Sequence, residues 1–255
     1  MLLAVDIGNT NITYGVFHGD EFRGTWRVAT DVGQMPDEYA ATLLNLLHHQ
    51  GLKTTDIKEV ALCCVTPPLL ATFEEMLERY FHVSPLVIGP GVKTGVHIRM
   101  DNPREVGTDR IVNAAAAHHL YTGAVIIVDM GTATTFDTVS KEGDYLGGAI
   151  APGIATAAEA LFTRASALPR VELTHPEHAI GTNTITAMKS GIIFGYVGLV
   201  EGIVNRIRRE LGEKATIVAT GGYAELIARE TPIIDKVNSD LTLVGLRLIY
   251  LMNQA

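Results

Sequence analysis

Residues Met1 to Phe17 read MLLAVDIGNTNITYGVF, and residues Ala124 to Val139 read AVIIVDMGTATTFDTV. Each stretch runs an apolar strand into Asp-x-Gly, then into small amide or hydroxyl residues, then into a second β-rich stretch. An Asp at the carboxyl end of a buried strand sets a carboxylate beside exposed backbone N–H groups. The Gly after it lets that backbone approach a ligand without a Cβ in the way. Such N–H groups and Thr hydroxyls suit phosphate oxygens, while the Asp suits a hydrated divalent cation bridging them. A single copy is better explained as hairpin turn chemistry. Two copies about half a chain apart predict two similar units that close on one polyphosphate from opposite sides.

The elements around the two turns repeat as well. Leu2 to Asp6, Ile12 to Phe17 and Glu21 to Val28, joined by GNTN and HGDE, predict an antiparallel meander. A helix follows over MPDEYAATLLNLLHHQGL, with Gly51 as its cap, then a strand at Glu59 to Val65, a helix at Pro68 to Phe81 and a strand at Pro85 to Ile88. The segment DNPREVGTDRIVNAAAAHHLY predicts a turn leading into an Ala-rich helix that stops before Gly123. A second meander is expected from Ala124 to Asp129, Thr134 to Ser140 and Tyr145 to Ala151. Helices are expected at Ile154 to Leu168 and Asn183 to Leu211, then a strand at Thr216 to Ala219, the turn TGG, a helix at Tyr223 to Arg229 and a terminal helix at Leu241 to Met252. The expected domains are 1–117, with the first turn, and 118–255, with the second; the terminal helix is free to pack back on the first.

Composition agrees with an α/β protein. In 255 residues there are 47% hydrophobic residues, 25 glycines and 6% aromatics, a balance that fits many tight turns joining strands to helices. A net charge of −8 argues against a broad nucleic-acid surface, which needs Lys and Arg in excess on some face. Cys63 and Cys64 are adjacent within the β-like run EVALCCV, so they read as buried thiols in a reducing cytoplasm. Asp6 interrupts the apolar start too early for a signal peptide, and Ile192 to Val204 is short of the ~20 residues that span a bilayer, so no membrane segment is expected.

VDIGNTN at Val5 to Asn11 and VDMGTATT at Val128 to Thr135 resemble the phosphate-binding turns of the acetate and sugar kinase, heat-shock cognate and actin superfamily. TGGYAEL at Thr220 to Leu226 is similar to its adenosine-contacting turn. Within that superfamily, DIGNT, DNPREVGTDR, DMGTATTFD, GGAIAPG, GTNTITAMKSG and TGG, in this order over essentially the whole chain, resemble type III pantothenate kinase. The resemblance implies two ribonuclease H-like domains, a duplicated actin-like ATPase fold, around a nucleotide cleft. It also implies ATP-dependent phosphorylation of the primary hydroxyl of pantothenate, the first step of coenzyme A biosynthesis, in a homodimer with the pantothenate pocket near the subunit interface.

Residue by residue, the resemblance puts the catalytic base on Asp109 of GTDR. Without it, Asp109 reads equally well as a helix-start carboxylate stabilised by the helix dipole. Arg110 beside it would hold the substrate carboxylate or oppose charge on the transferring group, with an ordinary surface ion pair as the plainer role. Gly107, Thr108 and Thr184 would contact pantothenate, Thr184 having a helix cap as its competing role. Met100 stands where the family usually has an aromatic, which removes a hydroxyl from that wall of the pocket. ATP would be held by Asp6, Gly8, Asn9, Thr10, Asn11, Thr132, Gly221 and Gly222, with Mg²⁺ reaching Asp6 through phosphates or water, and Asp129 would bind a monovalent cation, K⁺ or NH₄⁺. Asp137 reads as a surface residue of the second hairpin.

Other signals are set aside. GPGVKTG at Gly89 to Gly95 lacks the Gly-Lys step of a P-loop, and no G-x-G-x-x-G follows a strand. The nine histidines include no H-E-x-x-H, so zinc is not expected. Gly191, Gly195 and Gly198 on the helix from Asn183 to Leu211 would permit close contact between subunits. The competing functions are a nucleotide-binding regulatory homologue without turnover, and another small-molecule kinase on the same fold.

Overall fold

The computed structural model describes residues 1–254. They divide into two compact units, the first made of Met1–Gly95, Arg104–Ala116 and the chain from Thr242 on, the second of Val96–Pro103 and Ala117–Leu241.

In the first unit, β1 (Leu2–Ile7), β2 (Asn11–His18) and β3 (Glu21–Ala29) form the antiparallel meander. Helix α1 (Pro36–His49) then leads to β4 (Glu59–Cys64), and α2 (Pro68–Phe81) to β5 (Leu86–Val87), both strands parallel to β1. The sheet order is β3-β2-β1-β4-β5. Side chains alternate faces along a strand, so Leu3, Val5 and Ile7 join Ile12, Tyr14 and Val16 against Leu43, Phe73, Met76 and Leu77 of α1 and α2. Asp6 therefore points to the other face. There Ala4 and Gly15 are cross-strand partners, and a Cβ on Gly15 would lie 2.9 Å from Leu243 of the terminal helix. A pair of small residues thus lets that helix lie close on the sheet. Helix α1 ends as a Schellman motif: Gly51 at φ 73 donates to His48 O, and Leu52 donates to Leu47 O at 2.9 Å.

The second unit receives the short β6 (His97–Ile98), and α3 (Thr108–Leu120) runs from the first unit into it. Its own meander is β7 (Ala124–Met130), β8 (Ala133–Val139) and β9 (Asp144–Pro152), followed by α4 (Ile154–Arg164), α5 (Thr184–Leu211), β10 (Ala215–Thr220), α6 (Ala224–Ala228) and β11 (Lys236–Val237). Helix α7 (Leu241–Met252) ends the chain. The sheet order β11-β10-β7-β8-β9-β6 repeats that of the first unit, with β6 added at the edge. Even the irregularities repeat: β2 bulges between Val16 and Phe17, and β8 between Thr138 and Val139, each between the sixth and seventh residues of its strand. Ile126, Val128, Met130 and Phe136 pack on Ile193, Tyr196, Val200 and Val204 of α5. By length and hydropathy alone α5 could cross a membrane, but this inner stripe is occupied by the sheet.

Three expectations are corrected. Helix α4 stops at Arg164 and not at Leu168, because Ala165 turns extended at φ −108, ψ 112. Asp137 is fully buried and not a surface residue: Tyr145 donates to its Oδ1 at 2.6 Å and Thr135 to its Oδ2 at 2.8 Å. Cys63 is buried as read, whereas Cys64 is only half-buried.

Candidate active site

The first turn is held by its carbonyl oxygens. Gly8 donates to Asn11 O at 3.0 Å, and a Cβ on Gly8 would come within 2.8 Å of that same oxygen. Thr30 clamps the loop twice, its N–H donating to Thr10 O at 3.0 Å and its hydroxyl to Gly8 O at 2.8 Å. Thr66 Oγ1 adds a contact to Gly8 O at 3.1 Å. The carbonyls of Gly8, Thr10 and Asn11, which would repel an anion, are thus engaged by the chain itself. Asn9, Thr10 and Asn11 are exposed, and Asp6 at the strand end is half-buried. The pattern is that of an anion-binding turn with a carboxylate at its root.

Still in the first unit, α3 starts at Thr108, and Gly107 O accepts from Arg110 N at 3.1 Å and Ile111 N at 3.2 Å. Asp109 folds back over this helix start, its Oδ1 accepting from Arg110 N at 2.9 Å. A Cβ on residue 107 would lie 2.5 Å from that oxygen, so only glycine allows the carboxylate to sit there. The helix N-terminus favours its negative charge. Under it, the Cys63 thiol donates to Thr108 Oγ1 at 3.2 Å. Burial pushes this thiol well above its ordinary range, and the neighbouring Asp6 and Asp109 push it further, so it remains a neutral donor.

In the second unit, Asp129 lies half-buried near the end of β7, opposite Thr135 of β8 and Thr220 of β10. Gly131 N closes the turn on Ala133 O at 3.0 Å. Thr132 O accepts from Gly153 N at 3.0 Å and from Thr156 Oγ1 at 2.8 Å, leaving Gly131 and Thr132 exposed. A Cβ on Gly153 would lie 2.3 Å from Gly131 O and 2.4 Å from Thr132 O. Gly221, at φ 91, also lies close on the end of β7, its missing Cβ 2.7 Å from the Met130 backbone. The TGG turn thus abuts the second acidic turn, bringing Asp129, Thr132, Gly221 and the exposed Gly222 into one neighbourhood.

Met100 and Thr184 also belong to the second unit. The Met100 Sδ lies where a Cβ on Gly147 would approach to 2.8 Å, so the thioether fills the space left by that glycine at φ 104. Thr184 is exposed in the first turn of α5, but it is not the cap. Asn183 is, accepting from Thr186 N at 3.0 Å, while Thr186 Oγ1 accepts from Asn183 N at 3.2 Å. Thr184 instead lines an apolar groove of about 940 Å³ along α4 and α5.

No group of three or more His, Cys, Asp or Glu able to cage a metal occurs among the described residues. Asp6 and Asp129 are single carboxylates, each beside a turn suited to phosphate, which fits cations whose remaining ligands are phosphate oxygens, backbone carbonyls and water. Sequence reasoning missed Thr30, Thr66, Cys63, Gly153 and Thr156, which shape the turns and the helix start from a distance. Only Gly153 carried a local signal, within GGAIAPG.

The family model for type III pantothenate kinase matches residues 2–206. A type III pantothenate kinase of Dehalococcoides mccartyi strain BAV1 is 59% identical over 253 residues, 99% of this chain and 96% of that one. One from Moorella thermoacetica is 54% identical over 99% of this chain and 100% of its own length. Among solved structures, a Campylobacter jejuni protein described as a candidate Baf family transcriptional activator superposes with a TM-score of 0.62 at 20% identity, covering 99% and 98% of the two chains. The ethanolamine utilization protein EutJ of Carboxydothermus hydrogenoformans gives 0.56 at 13% identity, covering 97% and 89%. These two likenesses speak for the fold alone, a duplicated actin-like ATPase fold. The repeated strand order, the paired acidic turns and the near-complete sequence matches lead to one conclusion: the chain belongs to the type III pantothenate kinase family.

Proposed function

We infer that this chain transfers a phosphoryl group from ATP to the primary hydroxyl of pantothenate, forming 4'-phosphopantothenate at the start of coenzyme A biosynthesis. The observation that carries the reading is the match to type III pantothenate kinases over nearly the whole length of both chains at 50–59% identity. In such a transfer the protein has little covalent chemistry to do; it positions the reactants, neutralises charge and gives the hydroxyl proton somewhere to go.

Asp109 is the residue for that proton. It sits in the first turn of α3 with its carboxylate held over the helix start by Gly107 and Arg110. Arg110 keeps its charge at every working pH and suits the pantothenate carboxylate. Gly107, Thr108, Met100 and Thr184 complete the pantothenate contacts. Asp6, Gly8, Asn9, Thr10, Asn11, Thr132, Gly221 and Gly222 hold ATP. Asp6 would hold Mg²⁺, which would supply charge neutralisation of the polyphosphate, and Asp129 would hold a monovalent cation that would offset its carboxylate.

The apolar groove along α4 and α5 belongs to a homodimer in this reading. Gly191, Gly195 and Gly198 have nothing within 4 Å of where a Cβ would be, so a second helix can approach closely, and Ile185 and Leu161 are exposed beside them. A monomeric mass by sedimentation at micromolar concentration would count against it. Two free thiols fit a cytoplasmic setting.

The test of function is ADP release with ATP, Mg²⁺ and K⁺, with and without pantothenate. Release should depend on pantothenate, and release that ignores it would remove the assignment. Asp109→Asn should keep nucleotide affinity and lose turnover by about 100-fold or more, as removal of a general base does.

A further inference from the structure

The segment that closes β4 touches both halves of the chemistry in the first unit. β1 and β4 are parallel neighbours with Asp6 opposite Cys63 and Ile7 opposite Cys64, and Val65 N continues the pairing onto Ile7 O at 3.0 Å. Residues 63–66 therefore run beside Asp6 to Asn9. From one end of this segment, Cys63 Sγ donates to Thr108 Oγ1 at 3.2 Å, and Thr108 Oγ1 in turn reaches Cys64 O at 3.4 Å. From the other end, Thr66 Oγ1 lies 3.1 Å from Gly8 O and 3.3 Å from Asn9 Oδ1. A hydroxyl has one proton, so Thr66 shares it between the turn's backbone and its first amide side chain. Cys64 Sγ donates to Thr66 O at 3.2 Å and ties the two ends together.

We propose that Cys63 and Thr66 are positioning residues: Cys63 fixes the start of α3 through Thr108, Thr66 fixes the phosphate turn through Gly8 and Asn9, and the short segment between them sets the two in one register. The proposal rests on the reading of Asp109 as base and of Gly8 to Asn11 as phosphate site. Cys63 is fully buried and Thr66 is 7% exposed, so water is poorly placed to replace either donor once it is removed. Thr108 immediately precedes Asp109, so its freedom to turn becomes the freedom of the carboxylate. In a near-attack geometry such slack costs rate and not affinity. Thr66 faces the nucleotide's turn only, so its loss costs ATP affinity and not the proton transfer.

The two ends are therefore separable in kinetics. Cys63→Ala should lower kcat about tenfold and leave the KM for ATP within about twofold, and Cys63→Ser, which restores a donor, should recover most of the loss. Thr66→Val should raise the KM for ATP about fivefold with a much smaller change in kcat, and Thr66→Ser should reverse it. If Cys63→Ala does not fold, Thr108→Val breaks the same bond from the other side and should show the same loss of kcat. Equal effects of Cys63→Ala and Cys63→Ser, or a Thr66→Val variant that loses kcat and keeps its KM, would overturn the brace. Asp109→Asn run in parallel separates the failures. If it loses turnover while Cys63→Ala and Thr66→Val behave as wild type, the brace alone is wrong; if it keeps turnover, the reading of the base falls and the brace with it.

Discussion

The two acidic hairpins are copies in plan and differ in how they are held. Asp6 and Asp129 occupy equivalent strand ends, each opposite a threonine of the next strand, Thr13 and Thr135. The first turn is one residue longer: Ile7 pairs with Ile12, whereas Met130 pairs with Thr134. The longer turn is laced by hydroxyls from Thr30 and Thr66. The shorter one takes a single hydroxyl, from Thr156, and is wedged besides by backbone, with Gly153 and Gly221 so close to Gly131, Thr132 and Met130 that neither leaves room for a Cβ. Hydrogen-bonded lacing can give by tenths of an ångström; backbone on backbone cannot. The first turn is thus held more by side-chain hydrogen bonds and the second more by close-packed backbone.

The largest effect should come from filling the wedge. Gly153→Ala forces two carbonyls aside and should cost about 3 kcal/mol, a fall in thermal midpoint of about 10 °C, with loss of nucleotide binding. Gly8→Ala meets one oxygen at 2.8 Å, on the exposed residue Asn11, and should cost about 1 kcal/mol. Thermal melts of the two variants side by side decide the matter. Equal losses would mean that the two turns are equally stiff.

The carboxylates should separate next. On the proposed reading Asp6→Asn removes charge from the side that would face Mg²⁺ and should lower turnover about 100-fold, near 2.7 kcal/mol in the barrier, at every K⁺ concentration. If Asp129 holds the monovalent cation as proposed, Asp129→Asn should instead abolish any stimulation by K⁺ and leave the rate measured without it. A potassium titration of both variants reads the difference. An Asp129→Asn enzyme that still responds to K⁺ would place the monovalent site elsewhere.

The doubling of the hairpins was visible in the sequence and the way each is held was not, for physical reasons. The doubled strand-turn-strand is local, written in alternation and in Asp-x-Gly, so the meanders and the long helices follow from nearest neighbours. The two-residue strands His97–Ile98 and Lys236–Val237 exist only because β9 and β10 lie beside them, and two residues carry no period. Asp137 looked exposed because a charged residue in a hairpin usually is; its burial depends on Tyr145, which reaches back from the next strand. At Gly-Thr-Asn-Thr three consecutive residues can each cap a helix, and only geometry selects Asn183. The braces Thr30 and Thr66 lie 22 and 58 residues from Gly8, beyond the range of any motif.

The smallest effect should come from the cores just behind the turns. The fourth residue of β2 is Tyr14 and the fourth of β8 is Phe136, both fully buried and both paired to a valine of the first strand. The first unit therefore buries a phenol where the second buries a plain ring, and the Tyr14 hydroxyl finds no hydrogen-bond partner among the described residues. Burial, and then the nearby Tyr39, pushes this phenol far above its ordinary 10.0. The folded chain thus holds the proton more tightly than the unfolded chain, so stability that is whole below pH 10 drains away as the pH rises beyond it. Tyr14→Phe removes an unsatisfied polar group and should leave neutral-pH stability unchanged or raise it by about 1 kcal/mol, while flattening the alkaline decline. Urea unfolding at pH 8 and again above pH 10 measures both. A loss of more than about 1 kcal/mol at pH 8 would mean that the hydroxyl is satisfied in solution by a buried water, and the first core would then be wet where the second is dry.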